Sequence, residues 1–321
     1  MPPPSIDPDR IAGALLGTAV GDALGMPVER LSHQNVRTHY KGIKGYTADE
    51  KRGHVAAGQW TGDTQRTFAL ARALTNAGSD KPGAYASELT ALDSDGIRWE
   101  SAPLGVVARL RAGIGPMQAG DIADDSNSGA VSAAPAGCFL AMNESEGDAV
   151  ENCFRVVILH PLALVASIGQ AHAVRLAVTS PAGMLDPDAF LHSVTRITSD
   201  LENRLGEPEH RCSRRLEHLA QMRNAYPLDL QDACDGTGSS ADQSWPFAVV
   251  MFARAPELLE ATLLSSINVG GDSNSIGAMV GALLGALHGW SVFPEEWRSG
   301  LSDRAPLEDE ARAFAESVLS R

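Results

Sequence analysis

NVGGDSNSIGAMVGALLGALHG, residues 268–289, places Gly277, Gly281, Gly285 and Gly289 four residues apart. In a helix, positions separated by four lie on one face, so this run draws a stripe without side chains. A second stripe stands near the other end of the chain, at Gly13, Gly17, Gly21 and Gly25. Glycine inside a helix costs up to about 1 kcal/mol relative to alanine, so two such rows require a compensating interaction. Close approach of one backbone to another supplies it. The stripes therefore predict that the first and the late helix pack on each other, or on a common third, at the centre of the molecule. A merely Gly- and Ala-rich composition does not account for the same spacing twice.

The sequence between the stripes falls into windows of helical period separated by Gly, Pro, Ser and Asp clusters, with almost no strand-type alternation. Helices are predicted at about 9–24, 63–77, 84–92, 103–112, 147–157, 162–178, 186–205, 212–224, 245–252, 256–267, 273–288 and 307–320. Residues 155–159 read equally as a strand. The fold class is all-α, one compact domain over residues 1–321, with the proline-rich residues 1–8 flexible. The Gly/Ser/Asp-rich stretch 113–135 is long enough to predict a functional loop. Stretch 234–243 reads as an ordinary exposed loop.

Composition bounds the partners. Lys and Arg number 26 against 40 Asp and Glu, a net charge of −14 over 321 residues. That balance repels a phosphate backbone, and no basic cluster offsets it, so nucleic-acid binding is not expected. With 44% hydrophobic and 21% charged residues, the chain can bury a large core. Cys138, Cys153, Cys212 and Cys234 show no zinc-type spacing and read as reduced thiols in a cytoplasm. The start, MPPPSIDPDR, lacks the basic and apolar regions of a signal peptide, so export is not indicated. The most apolar segment, 276–287, is about half the ~20 residues of a membrane span. A soluble protein with small molecules or proteins as partners is expected; its oligomeric state is not legible.

Each stripe adjoins an acid, Asp22 after Gly21 and Asp272 after Gly271, and a third acid, Asp63, opens a helix in GQWTGDTQRT. Packing the stripes together would bring Asp272, Thr61 and Asp63 to one end of the core, with Glu29 a candidate fourth. Oxygen ligands of this kind suit Mg²⁺, Mn²⁺ or Ca²⁺ rather than zinc. The same residues also read as helix caps, Thr61 and Asp63 at one helix and Asp272 and Ser273 at another. Spacing does not separate the two readings. Ser126, Asn127, Ser128 and Gly129 could present successive backbone N–H groups to a phosphate, or form a plain Ser/Gly loop. His160, Trp60 and Trp245 read first as packing residues, although either indole could stack on an adenine.

Five blocks together carry a resemblance: GDALGMPVE (21–29), GQWTGDTQRTFALARAL (58–74), SNSGAVSAAPAG (126–137), His160-Pro161 and NVGGDSNSIGAMVGALLGALHG (268–289), followed by FPEEW (293–297). Their order and separation resemble the ADP-ribosylglycohydrolases, which include the dinitrogenase reductase-activating glycohydrolase and the ADP-ribosyl-acceptor hydrolases. The resemblance implies an all-α, single-domain fold with a binuclear Mg²⁺ or Mn²⁺ centre in an ADP-ribose cleft. It implies hydrolysis of the bond between C1 of the distal ribose and an arginine, serine or similar acceptor, in a free conjugate or an ADP-ribosylated protein. Glu29 and Asp63 then take the catalytic positions. Thr61, Asp63, Asp272, Asn274 and Ser275 take the metal positions. Asp22, Ser126, Asn127, Ser128, Gly129, Gly270 and Gly271 take substrate contacts. Two family carboxylates are replaced, by Gly62 and Asn274, and the usual Met-Arg pair of the third block is Ser132-Ala133. Fewer anionic ligands weaken divalent-cation binding, which favours one ion over two. Two functions follow, a Mg²⁺-assisted hydrolase or an inactive relative that binds ADP-ribose or serves as a scaffold.

Overall fold

The computed structural model describes residues 6–49, 55–75, 78, 80–92 and 101–320, the side chains of Ser101 and Ala102 excepted. At its centre the helices Pro8–Gly25 and Ser273–His288 run antiparallel in close contact. A Cβ on Gly17 would lie 2.2 Å from the Gly281 carbonyl oxygen, and one on Gly281 would lie 2.1 Å from that of Gly17. Gly21 and Gly277 face each other in the same way, at 1.9 and 2.3 Å. Any side chain there would drive the backbones apart, so the glycine stripes are the packing interface. The last rung departs from the predicted pattern. Gly25 meets the backbone of Ser273 at 2.2 Å, whereas Gly289 lies past the helix end with φ +94° and serves as its C-cap.

Other helices wrap this pair. Pro161–Thr179, Ala241–Arg254 and Leu259–Ile267 pack on Ser273–His288, while Arg304–Leu319, Gly62–Thr75 and Ala134–Met142 pack on Pro8–Gly25. Outside them, Pro187–Leu205 and Arg211–Gln221 cover one side, and Lys81–Ala91, Gly147–Val157 and Ser101–Arg111 the other. One contiguous hydrophobic core runs through all of these layers. Among the described residues no strand forms, only four isolated bridges. Arg10, 6% exposed, donates from Nε to Ala286 O, from Nη1 to Ser180 O and from Nη2 to Ala177 O. One guanidinium thus satisfies terminal carbonyls of two core helices, where a cation also complements the helix dipoles.

The structure amends several sequence readings. Residues 155–159 are the end of Gly147–Val157 followed by a single bridge between Ile158 and Asp121. The 113–135 stretch contains Pro116–Ala119 and Ser128–Val131, and Ala134–Met142 begins before it ends. The helices Ala134–Met142, His33–Tyr40, Pro227–Ala233 and Glu295–Gly300 were not predicted; the first is buried almost all round and so carries no amphipathic period. Order reaches closer to the start than expected. Ile6 is buried and Asp7 caps Pro8–Gly25 by accepting from Asp9 N, while residues 1–5 lie outside the described residues, as do 76–77 at the end of the predicted 63–77 helix. Two segments, Pro8–Val28 and Pro161–Thr179, are long and apolar enough to span a bilayer, which the reading of 276–287 alone overlooked. They are core helices here, 94% and 78% buried within the fold.

Candidate active site

Antiparallel packing sets the C-terminal end of one glycine helix beside the N-terminal end of the other. Asp22, in the last turn of the first helix, lies at 0% exposure, and its oxygens are fully engaged. Oδ1 accepts from Thr61 Oγ1 at 2.9 Å; Oδ2 accepts from Thr61 N at 2.8 Å, Thr64 Oγ1 at 2.7 Å and Thr64 N at 3.3 Å. This carboxylate fastens the start of Gly62–Thr75 to the glycine helix. A positioning role fits that geometry, where the sequence reading placed a substrate contact. Burial and the nearby charge of Asp63 push its pKa up to about 7.

Two further backbone links bring in the first and last blocks. Arg30 N donates to Gly271 O at 2.7 Å and Gly271 N donates to Leu31 O at 2.8 Å, which seats Glu29, 3% exposed, close to Asp272. The positive φ of Gly270 (+83°) and Gly271 (+77°) permits this approach, since a Cβ on either would lie 2.1 or 2.2 Å from the carbonyl oxygen of Leu31 or Thr237. Their N–H groups are spent inside the protein, on Ile267 O and Leu31 O. The geometry thus gives these glycines a backbone role, and any substrate contact they make would not use their N–H groups.

The caps resolve differently at the two helices. Thr61 Oγ1 accepts from Asp63 N at 3.2 Å, so the cap reading holds for Thr61, while Asp63 lies inside Gly62–Thr75 and turns its carboxylate to Arg66, Asn274 and Ser275. Asp272 makes no side-chain cap bond to Ser273–His288. Its Oδ2 accepts from Asn127 Nδ2 at 2.6 Å, and its Oδ1 is buried without a donor. Burial and the charges of Asp63 and Glu29 push the Asp272 pKa up to about 7. Asn127, 0% exposed, also donates from Nδ2 to Ser244 Oγ at 2.8 Å, leaving its own Oδ1 without a donor. Asn274 Oδ1 is a third such oxygen. Buried acceptors are almost always satisfied, so these three oxygens leave open positions that a water or a bound ligand can fill.

Asp63 is held more tightly. Its Oδ1 accepts from Arg66 Nη2 at 2.6 Å; its Oδ2 accepts from Asn274 Nδ2 at 3.0 Å and Ser275 Oγ at 3.1 Å. Arg66, 2% exposed, also donates from Nη1 to Ser128 O at 2.7 Å and from Nε to Gly62 O at 3.2 Å. The sequence reading missed Arg66, Thr64 and Ser244. For Arg66 a signal existed, the i,i+3 spacing from Asp63 on a helix. The expected phosphate cradle is also changed. Ser126 N donates to Asp124 Oδ1, Asn127 N to Ser239 O and Ser128 N to Ser126 Oγ, so these N–H groups are engaged before any anion arrives. Gly129 instead lies against Ser167, where a Cβ would come within 2.2 Å of Oγ.

The aromatic and histidine candidates sort by burial. Trp245 is wholly buried and donates to Gln170 Oε1, a packing role. Trp60 donates to Ser302 O and, with Gln59, Ser302 and Asp303, lines a pocket of about 370 Å³. His160 occupies the N-cap position of Pro161–Thr179, its Nδ1 buried without a partner. Among the described residues no three Asp, Glu, His or Cys side chains gather into a metal cluster. Asp63 and Glu29 act on Asp272 as nearby charges rather than as joint ligands, and the other oxygens near Asp63 and Asp272 come from carboxamides and hydroxyls.

Helices closing around such a cluster of acceptor oxygens make an all-α scaffold with the candidate site at one end of its central helix pair. The sequence profile of the ADP-ribosylglycohydrolases matches residues 3–321, and the chain belongs to that family. It is 26% identical to the ADP-ribosyl-[dinitrogen reductase] glycohydrolase of Rhodospirillum rubrum, over 97% of this chain and 96% of that one. Over 41% of each chain it is 31% identical to the human ADP-ribosylhydrolase ARH3. A solved structure described as an ADP-ribosylglycohydrolase-related protein complex superposes with a TM-score of 0.76 at 25% identity, covering 97% of this chain and 98% of that one.

Proposed function

We propose that the protein hydrolyses the glycosidic bond joining ADP-ribose, or a related ribosyl or nucleotide conjugate, to an acceptor such as an arginine or serine side chain. The observation that carries this reading is that Glu29 and Asp63 lie near enough to Asp272 to raise its pKa, while Asn127, bonded to Asp272, and Asn274, bonded to Asp63, each keep a buried oxygen without a donor. The named activities of the Rhodospirillum rubrum and human relatives supply the substrate class. Hard oxygen donors fit Mg²⁺ or Mn²⁺. The fit is to one ion, because Gly62 and Asn274 stand where the family resemblance places carboxylates, and Asp63 is already paired with Arg66.

When bound, the ion would polarise a water and orient ribose hydroxyls. Asp272, Asn127 and Asn274 would hold it through the oxygens that lack donors. Glu29, a nearly buried carboxylate with Arg30 Nε 3.3 Å from Oε1, moves the proton between water and leaving group. The negative charges of Asp272 and Asp63 offset the positive charge that develops at C1 of the ribose. The four cysteines are buried and unpaired by disulfides, and burial pushes Cys138, Cys153 and Cys234 up to about 12, which keeps these thiols unreactive and out of the chemistry.

The test is release of ADP-ribose from ADP-ribosylated arginine and serine peptides, with Mn²⁺ and with excess chelator. Turnover with Mn²⁺ that is lost in chelator and in Glu29→Gln supports the reading; undiminished turnover in chelator removes its metal part. The Arg66–Asp63 pair favours a second reading, a relative that binds ADP-ribose without cleaving it. Calorimetric uptake of ADP-ribose in chelator, with no release from either peptide, would establish that one.

A further inference from the structure

We propose that Arg66 is a built-in cation that occupies Asp63, so that this carboxylate is closed to metal and the site accepts a single divalent ion on its Asp272 side. The inference rests on the proposed metal-assisted hydrolysis and specifies how this chain's own residues divide the site.

Asp63 and Asp272 lie at similar depth, 3% and 5% exposed, but their oxygens differ in kind. Both oxygens of Asp63 already receive donors, one from a guanidinium at 2.6 Å, within the range of a charge-assisted bond. Asp272 keeps Oδ1 open, and the open oxygens of Asn127 and Asn274 belong to residues bonded to Asp272 and Asp63 respectively. Asn274 donates its amide to Asp63, which leaves its carbonyl oxygen as the group available to an ion.

Arg66 cannot be displaced cheaply. Its guanidinium stays protonated in any protein setting. It is fixed at three points, Gly62 O on its own helix, Ser128 O on the third block and Asp63 Oδ1. Turning Asp63 toward a metal would strand that charge at 2% exposure, and an uncompensated buried charge is strongly unfavourable. A divalent ion bonded to Asp63 would also stand beside a fixed positive group. The planar fork that links Asp63 to Ser128 O therefore does electrostatically what a second metal ion would do, and it does so without exchange with solvent.

The experiment is titration of Mn²⁺ into wild-type, Arg66→Met and Arg66→Gln protein, counting free ion by electron paramagnetic resonance. One ion per wild-type chain is expected. Either variant, by freeing Asp63, is expected to take up a second ion or to bind the first about tenfold more tightly, as affinity follows ligand charge. Arg66→Gln retains polar donors toward Ser128 O and Gly62 O and decides the matter if Arg66→Met does not fold. Two ions in the wild type, or unchanged stoichiometry and affinity in a folded variant, would overturn the assignment of Arg66. A wild type that binds none beside a variant that binds one would overturn the single-ion site on the Asp272 side and remove the metal from the proposed function, leaving Arg66 only as an excluding cation. No ion in any of the three proteins would remove both.

Discussion

At the scale of single residues, Asp63 and Asp272 differ in what their negative charge meets. Asp63 faces Arg66, so Asp63→Asn strands a buried guanidinium and is expected to cost about 3 kcal/mol of apo-protein stability by urea denaturation. Asp272 faces burial and the like charges of Asp63 and Glu29, with a pKa raised from 3.8 to about 7. A group with a raised pKa favours the folded state below its unfolded value, and that advantage is lost as pH rises through the folded value. Asp272→Asn is therefore expected to stabilise the apo protein relative to wild type by a margin that grows from about pH 4 to about pH 7 and then levels. Comparing the two proteins cancels other titrations in the same window. His172 is one of these; burial holds its pKa near about 4, so its contribution runs in the opposite direction. A margin that shrinks with pH would show that a cationic partner holds Asp272 charged in the folded state.

At the scale of elements, the glycine stripes carry the fold and can be tested where they are tightest. Gly281→Ala places a methyl group 2.1 Å from the Gly17 carbonyl oxygen and is expected to lose about 3 kcal/mol or more, as overpacking between two backbones has nowhere to relax. Gly147→Ala, at the start of Gly147–Val157 with nothing within 4 Å, is expected to stay within about 0.5 kcal/mol of wild type. Thermal or urea denaturation of both variants reads the contrast. The central helix pair was legible in the sequence because a fourfold glycine spacing has one strong physical use. Its last rung was not, because Gly289 continues the spacing but ends the helix, and Ser273 takes the place opposite Gly25. Ala134–Met142 was invisible for the opposite reason, since a helix buried on nearly every side leaves no polar face to mark its period.

At the scale of the whole molecule, residues more than 200 positions apart in sequence share one cluster, as the bonds from Asn274 and Ser275 to Asp63 show. Glu29, Thr61, Asp63, Asp272, Asn274 and Ser275 could be named from their blocks, because each stands beside a cap, a stripe or a motif. What the sequence could not show is how their oxygens are shared. The engagement of Asp22 by Thr61 and Thr64, the closing of Asp63 by Arg66 and the exposure of lone pairs on Asn127 and Asn274 are tertiary facts with no local pattern. Deprotonation of Asp272 must accompany ion binding, so Mn²⁺ affinity is expected to rise with pH up to about 7, measured by calorimetry in buffers of different ionisation enthalpy. The most direct measurement is anomalous diffraction from crystals grown with Mn²⁺. A single peak at bonding distance from Asp272 Oδ1, with the carboxamide oxygens of Asn127 or Asn274 as further ligands, is the predicted result. Two peaks bridged by Asp63, or none near Asp272, would contradict it.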